Sequence, residues 1–534
     1  MPTTHDVSWL VAEAAADRPD ALAVVESGGR SVTWTVLEDE VSRVATGLGA
    51  EGVVAGQRVM LALGNRIEFV TAYLGVLRAQ VVAVPVNPRA TVNELTRMIA
   101  DSGARLVIAD QETAESVREA VSVVRAALAG ETDELDDDLL ERAYAPRIFV
   151  TGAEPVDGEQ SYDALRSAAP RPVPPLPDPE KLACLLYTSG TSGRPRAAML
   201  THRALIANID QAARVDPPMI HGDDVVLGVL PLFHVYGLNA VLGSVLRHRA
   251  KLVLVERFDP QATLDLIDDE AVSVVPVAPP VFAYWLPEEH LRERLGPVRL
   301  MLSGSAPLST ELIERFTDAT GILVHQGYGL TEASPIVTST LCSVELQNGS
   351  VGAALPGIDI KLVDELGHEP DGDDPGEIWI RGANMFSGYW PDGEGGPDEE
   401  GWWGTGDVGF LDVTGDLFLV DRLKELVIVS GFNVYPVEVE DVIREVPSVA
   451  DAAVIGVEDA STGEAVVAYV CPVVGASAEE VAFAVRDHCA ARLARFKRPS
   501  RVEMVDELPL TVTGKVQKGR LRGMERRRSL GLLE

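Results

Sequence analysis

Short apolar runs alternate with helical spacings along the chain. RVMLAL (58–63) precedes an amphipathic pattern over 68–78, VVAVPV (81–86) precedes a helical pattern over 92–102, and RLVIAD (105–110) follows. This order predicts βαβαβ, hence a parallel sheet covered by helices. A second series begins at LACLLY (182–187) and runs through DVVLGVL (224–230), KLVLVE (251–256), SVVPVAP (273–279), VRLMLSG (298–304) and ILVHQGYG (322–329), predicting a second α/β layer. Between them, AAPRPVPPLPDPE (168–180) reads as an extended surface connector, and the acidic run ETDELDDDLLER (131–142) as a solvated helix or loop. After residue 350, Gly and Asp punctuate short strands (IDIKLVDE, GEIWIRG, DLFLVD), which predicts a small β-rich unit. From about Asp421 a separate alternation ends in a long helix over 478–493 and RVEMVDELP, enough for its own α+β domain. The expected division is an N-terminal domain of 1–420, with subdomains of about 1–180, 181–350 and 351–420, and a C-terminal domain of 421–534.

Composition narrows the function. The 534 residues suffice for about three or four domain-sized units. Lys+Arg is 46 and Asp+Glu is 81, a net charge of −35. A body so acidic repels a phosphate backbone, so no nucleic-acid partner is expected, and any bound nucleotide must be held by a local site that overrides the global field. Cys184, Cys342, Cys471 and Cys489 stand alone, with no metal spacing, which fits a reducing cytoplasm. The acidic N-terminus lacks the pattern of a signal peptide. Residues 225–246 carry no charged side chain and are long enough to span a bilayer, but Pro231, His234, Asn239 and three glycines interrupt them. A buried strand, loop and helix is expected there, with no transmembrane segment. The basic tail KVQKGRLRGMERRRS reads as a solvated last helix.

The candidate chemistry sits in five ordered islands. The first, Tyr187-Thr188-Ser189-Gly190-Thr191-Ser192-Gly193-Arg194-Pro195-Arg196, leaves an apolar run. Its glycines let backbone N–H groups turn inward, and its hydroxyls add donors suited to a di- or triphosphate. It lacks the Walker spacing. Gly327-Tyr328-Gly329-Leu330-Thr331-Glu332 offers an aromatic face, a hydroxyl and a carboxylate. Gly401-Trp402-Trp403-Gly404-Thr405-Gly406-Asp407 places an acid after a glycine turn. Asp421-Arg422-Leu423-Lys424-Glu425 precedes Ser430-Gly431-Phe432-Asn433-Val434-Tyr435-Pro436, and Thr513-Gly514-Lys515 lies near the end. Each island is weak alone. Together they span more than 300 residues in a fixed order.

On these islands the chain resembles the adenylate-forming superfamily over essentially its whole length. VSGFNVYPVEVE (429–440) and PLFHVYGL (231–238) are most similar to fatty-acid and aryl-acid CoA ligases. The resemblance implies an α/β fold: a large N-terminal domain of two α/β subdomains plus a small β-barrel, and a smaller mobile α+β C-terminal domain. It implies ATP, Mg²⁺ and CoA. The phosphates would meet Thr188, Ser189, Gly190, Thr191, Ser192, Gly193, Arg196 and Thr331. Glu332, with Thr188, would hold Mg²⁺, a hard cation suited to oxygen ligands. Adenine would lie on Tyr328 between Gly327 and Gly329, bordered by Ser303, Gly304, Ser305 and Ala306. Asp407 and Arg422 would take the ribose, and Lys515 would bridge the attacking carboxylate and the phosphate. His234, Tyr236, Gly304, Gly329 and Ala333 would border the acyl group, with Val277 and residues 278–285 nearby. Lys424 would be the hinge, and Gly431, Phe432 and Lys497 would lie near CoA.

The implied activity is an acyl-CoA ligase that converts a medium- or long-chain fatty acid to acyl-AMP plus pyrophosphate and then to the thioester. The alternatives are an aryl-acid CoA ligase and an acyl-AMP ligase delivering to a carrier protein. Luciferase-like oxygenation and a non-enzymatic nucleotide binder are further readings, the second set against intact Glu332, Asp407 and Lys515. Amino-acid adenylation domains put Phe-Asp where this chain has Phe233-His234, so no acid is present for a substrate ammonium. A homodimer or a peripheral membrane contact is compatible with the sequence. The chain departs from the family at Arg196-Ala197, where Lys-Gly is usual, and at Gly404, where a larger residue is common.

Overall fold

The computed structural model describes residues 6–173, 178–188, 196–306, 308–364, 366–370, 374–422, 425–429, 432–459, 463–511 and 514–529. The first sheet has seven strands in the order Gln160–Ser161, Arg147–Thr151, Leu106–Asp110, Arg58–Ala62, Val82–Pro85, Leu182–Thr188, Arg196–Thr201. All neighbours are parallel except the last pair, which is antiparallel, with Thr188 opposite Arg196. The second sheet has the order Val324–Gln326, Leu300–Ser303, Val274–Val277, Val225–Gly228, Lys251–Leu254, Leu22–Glu26, Ser31–Thr33, again parallel up to its last pair.

This pairing corrects the expected series. Leu182–Thr188 closes the first sheet instead of opening the second, and the N-terminal Leu22–Glu26 crosses to the second. Apolar strands buried on both faces look alike in sequence, so their sheet cannot be read from their composition. The 68–78 pattern is also corrected. All twelve residues of the helix Ile67–Arg78 are buried, not one face only. Its Phe69, Val70, Leu74 and Leu77 share one core with Val59 and Leu61 of the first sheet and Val226, Leu252 and Leu254 of the second. A Cβ on Gly75 would lie 2.5 Å from Val44 of the helix Trp34–Ala50, so only glycine allows that crossing. The buried charges are paired: Glu68 accepts from Arg30 at 2.6 Å, and Arg78 donates to Glu38 at 2.7 Å.

Among the described residues the segment after 350 forms a four-stranded antiparallel sheet, Ile358–Val363, Gly376–Gly382, Trp403–Leu411, Leu417–Arg422, and no pairing among them closes it into the small barrel expected. The C-terminal unit is α+β. Phe432–Val434, Val427–Val429, Gly463–Pro472 and Val449–Asp459 run in that order, with Arg501–Met504 beside Gly463–Pro472. The helices Pro436–Arg444 and Ala478–Arg492 pack their buried residues into its core. The molecule is thus a large N-terminal α/β domain with a smaller C-terminal one.

Residues 225–246 form the buried strand, loop and helix expected, and no helix among the described residues is long and apolar enough to cross a membrane. Its helical part opens with a π-helical stretch, Tyr236–Gly243. Asn239 pins that stretch by donating to the carbonyls of Leu205 (3.0 Å) and Ser334 (2.6 Å). The acidic run holds a short helix, Asp137–Arg142, with no buried residue.

Candidate active site

The strands of the second sheet end at a cavity of about 880 Å³. The ends of parallel strands are where open α/β sheets receive ligands, because the crossover loops diverge there. Thr188, Arg196, His234, Tyr236, Ser303, Gly304, Ser305, Gly327, Tyr328, Gly329, Thr331, Glu332, Asp407 and Lys515 all line this one space. Four of the islands therefore converge, although they are far apart in sequence.

Local chemistry explains how each is placed. Gly327 and Gly329 flank Tyr328 where the backbone doubles back: added Cβ atoms would sit 2.7 Å from the Thr338 carbonyl oxygen and 2.4 Å from that of Pro335. The turn delivers Tyr328, whose hydroxyl donates to Asp407 Oδ2 at 2.7 Å. Asp407 is itself 7% exposed and lies opposite Arg422 in strand register. Gly304 lies against the Tyr236 ring, with its Cβ position 2.7 Å from Cε1. Ser303 and Ser305 carry buried hydroxyls that find no partner among the described residues, and Ser305 holds φ at +75°. Orphaned donors on a cavity wall fit a polar ligand such as a nucleotide.

Glu332, 8% exposed, lines the cavity together with two other carboxylates, Asp407 and Glu377. Tyr389 donates its hydroxyl to Glu332 Oε1 at 2.6 Å, and the Arg196 guanidinium lies 3.7 Å from the Tyr389 ring centroid. Burial, then the Glu332 charge, push the Tyr389 phenol well above its usual range, so it stays a donor. Glu332 Oε2 accepts no hydrogen bond from the described residues. No group of three His, Cys, Asp or Glu side chains is arranged for a metal among them. One carboxylate beside a phosphate site suits Mg²⁺, which takes few protein ligands and completes its shell with phosphate oxygens and water. Thr188 lines the cavity too, its hydroxyl donating to the Arg196 carbonyl at 3.3 Å.

His234 lines the cavity, and burial pushes its imidazole down to about 4. Its Nδ1 accepts from the Tyr236 backbone N–H at 3.3 Å, which leaves the proton on Nε2. The site's wall at this end is therefore uncharged near neutral pH.

Lys515 comes from the C-terminal unit, together with Leu510, Thr511 and Gln517. Leu510 bridges Val516, and Gln517 N–H donates to the Pro509 carbonyl at 2.7 Å, closing the loop at its base. The following helix, Lys518–Ser529, is anchored where Lys518 meets Glu440 at 2.8 Å and Glu425 at 3.1 Å. At the loop tip, a Cβ on Gly514 would lie 2.6 Å from Pro280 of the large domain.

Other expected residues lie elsewhere. Ala333 is wholly buried in the core and does not line the cavity, nor does Ala306. Val277 faces the opposite side of its strand, packed with Phe282 and Trp285, while Val274 and Pro276 reach the cavity. Strand alternation explains the miss, since one residue's error changes the face. Lys497 is held by Glu438 at 2.6 Å, away from the cavity, and Phe432 sits in a strand of the C-terminal unit. Ser189, Gly190, Thr191, Ser192, Gly193, Lys424 and Gly431 lie outside the described residues. Tyr389 escaped the sequence reading, although Gly388-Tyr389-Trp390 was an aromatic signal worth following.

Comparison with known proteins agrees with this geometry. The AMP-binding enzyme model matches residues 11–390, and the AMP-binding enzyme C-terminal domain model matches 438–515. The 4-coumarate–CoA ligase-like 9 of Oryza sativa subsp. japonica is 34% identical over 529 residues, covering 96% of this chain and 90% of that protein. ATP-bound MatB from Rhodopseudomonas palustris superposes with a TM-score of 0.87 at 31% identity, covering 98% and 99% of the two chains. A benzoate CoA ligase from Burkholderia xenovorans LB400 superposes with a TM-score of 0.83 at 26% identity, covering 97% and 99%.

Proposed function

The chain belongs to the AMP-binding enzyme family, and from this premise we propose that its cavity activates an apolar, aryl-sized carboxylic acid for transfer to CoA. It is an ATP-dependent acid–thiol ligase that uses ATP, Mg²⁺ and CoA and works through an acyl adenylate. The observation that carries the reading is the meeting of Lys515 with Glu332, Tyr328 and Asp407 in one space.

The chemistry must bring a carboxylate to the α-phosphorus of ATP, anion against anion. Orientation and charge neutralisation supply most of what such a step needs. Asp407 holds the ribose hydroxyls, with Arg422 beside it in register, and Tyr328 lies along the adenine. Gly304, Ser303 and Ser305 border both adenine and acid. Arg196, Thr188 and Thr331 meet the phosphates with the 189–193 segment. Glu332, with Thr188, would hold Mg²⁺, which would screen the phosphate charge. Lys515 bridges the two anions as the adenylate forms. The same position cannot then admit a thiol, so the unit of residues 421–534 turns about Lys424 and withdraws Lys515. Gly431, Phe432 and Lys497 then come into use near CoA. Such a swing is a gating motion of a known kind.

Two observations support the acid assigned. The cavity reaches from Ser303 down to Val274, which is three residues back from the register partner of Ser303, Val277. At ~3.3 Å per residue that depth is roughly 10 Å. An aryl-propenoic acid fits within that length. The wall there comprises Met219, Ile220, Val235, Val241, Val274 and Leu302, with His234 neutral. No cation among them would bind a second carboxylate, and no acid would bind an ammonium. The relatives named 4-coumarate–CoA ligase support the aryl reading. A fatty acid of medium length is the second reading, favoured by this same apolar wall.

The test is pyrophosphate release and CoA consumption over cinnamate-type acids, benzoates and straight-chain acids of rising length. The highest kcat/KM is expected for the cinnamate type, with thioester formed only when CoA is present. Best turnover of a straight-chain acid would move the assignment to the second reading. No pyrophosphate with any acid would refute the adenylation reading itself.

A further inference from the structure

Residues 387–390 lie along the outer edge of Arg196–Thr201 as an additional stretch of ladder. Ser387 N–H donates to Met199 at 3.0 Å, Met199 N–H to Gly388 at 3.0 Å, and Trp390 N–H to Ala197 at 2.9 Å. Just before it, Phe386 N–H donates to the Glu332 carbonyl at 2.9 Å. One short segment is therefore fastened both to the strand that begins with Arg196 and to the turn that bears Glu332. Its Tyr389 stands between the two side chains.

We propose that Tyr389 is a positioning residue that fixes the Glu332 carboxylate with its hydroxyl and seats the Arg196 guanidinium on its ring. The inference rests on the adenylate-forming reading above and extends it to a residue that reading does not use.

The geometry is built on every side. Phe386 packs edge-on against Tyr389, with centroids 5.1 Å apart and planes at 76°, and against Trp403 at 5.2 Å and 74°. This fixes the ring plane. Gly395 closes the assembly: a Cβ there would lie 3.3 Å from the Tyr389 ring and 3.4 Å from an Arg196 nitrogen. A planar guanidinium can lie flat on a ring, whereas a lysine ammonium is a point charge on a flexible stem. Arginine at position 196 thus has a matching surface in this chain. A hydrogen bond to an ionised acceptor is among the stronger ones, and a cation on the donor's ring strengthens it. With Oε1 occupied by Tyr389 at 2.6 Å, Glu332 is held in one orientation and Oε2 is left for the metal.

The experiment uses the full chain with Mn²⁺ and ATP as the probe. Equilibrium binding of Mn²⁺ in the presence of ATP is followed by electron paramagnetic resonance, alongside the Mg²⁺ dependence of pyrophosphate release. Tyr389→Phe keeps the ring and removes the hydroxyl, so metal affinity should weaken by about tenfold, the scale of one charge-assisted hydrogen bond, while the KM for the acid holds. Arg196→Lys keeps the charge and loses the flat stack, so the KM for ATP should rise by about threefold or more, near the worth of a partly exposed cation–π contact. Wild-type metal binding and an unchanged Mg²⁺ midpoint in Tyr389→Phe would overturn the proposal. So would equal loss of both half-reactions with a lowered Tm, which marks a merely structural residue. An Arg196→Lys variant identical to wild type would overturn the seating of Arg196. Failure of the wild type to release pyrophosphate would instead strike the underlying reading.

Discussion

Gly514→Ala tests the placement of Lys515 without touching its charge. The Cβ would arrive 2.6 Å from Pro280 Cγ and 2.9 Å from Cδ, at a φ of +82°. Carbon atoms pack best at about 3.5–4.0 Å, so the loop tip must retreat by roughly 1 Å. Overpacking of this size costs about 1–3 kcal/mol, and the left-handed backbone adds about 1 kcal/mol for a residue with a Cβ. The clash exists only while the loop rests on Pro280. The backbone term persists in any orientation and cancels between them. The variant should therefore disfavour the docked arrangement by about 1–3 kcal/mol and displace Lys515, and a 1 Å misplacement alone can cost about 10²-fold. Pyrophosphate release should fall by about 10–100-fold on these figures. Thioester formation from preformed acyl adenylate, measured separately, should stay within about threefold, since the clash with Pro280 is absent there and the backbone term cancels. Equal loss in both half-reactions, or no loss in either, would refute the reasoning.

Two further outcomes are expected. Lys515→Ala should suppress adenylate formation by at least ~10²-fold, the scale of one preorganised charge contact, yet spare thioester formation from preformed adenylate; comparable loss in both would remove Lys515 from its role. Asp224, 5% exposed, accepts from Arg299, Ser273 and the His221 N–H. Burial alone would raise its carboxyl, but Arg299 and the other donors outweigh that and hold it below the usual range. Its contribution is therefore present above the unfolded carboxylate's pKa of ~4 and is lost as pH falls further, through the folded value. Asp224→Asn should cost about 2 kcal/mol at pH 7 in urea unfolding, with the gap to wild type narrowing below about pH 4; a gap independent of pH would refute the charge assignment.

The islands were legible because their chemistry leaves little choice of residue. A turn that doubles back at 2.4 Å from a carbonyl must be glycine, as at Gly329, and the acid and hydroxyls follow at fixed spacing. Element types were legible from periodicity. Sheet membership was not, because Leu182–Thr188 and Leu22–Glu26 carry apolar runs that suit either sheet. Complete burial of Ile67–Arg78 was hidden too, since Glu68 and Arg78 suggest a wet face until their partners Arg30 and Glu38 are placed. Tyr389 could not be assigned because its meaning lies in what stands on either side of it, and Glu332 is 57 residues away.

The exchange of strands between the two large sheets has an engineering consequence. The piece ending at residue 173 contains Leu22–Glu26, whose strand partners among the described residues lie in the second sheet, and the piece beginning at 178 contains two strands that finish the first. Neither piece is a closed solid. The proline connector looks like a seam, but the halves are laced through one another, so a recombinant that joins one relative's first piece to another's second piece must transplant the laces with them.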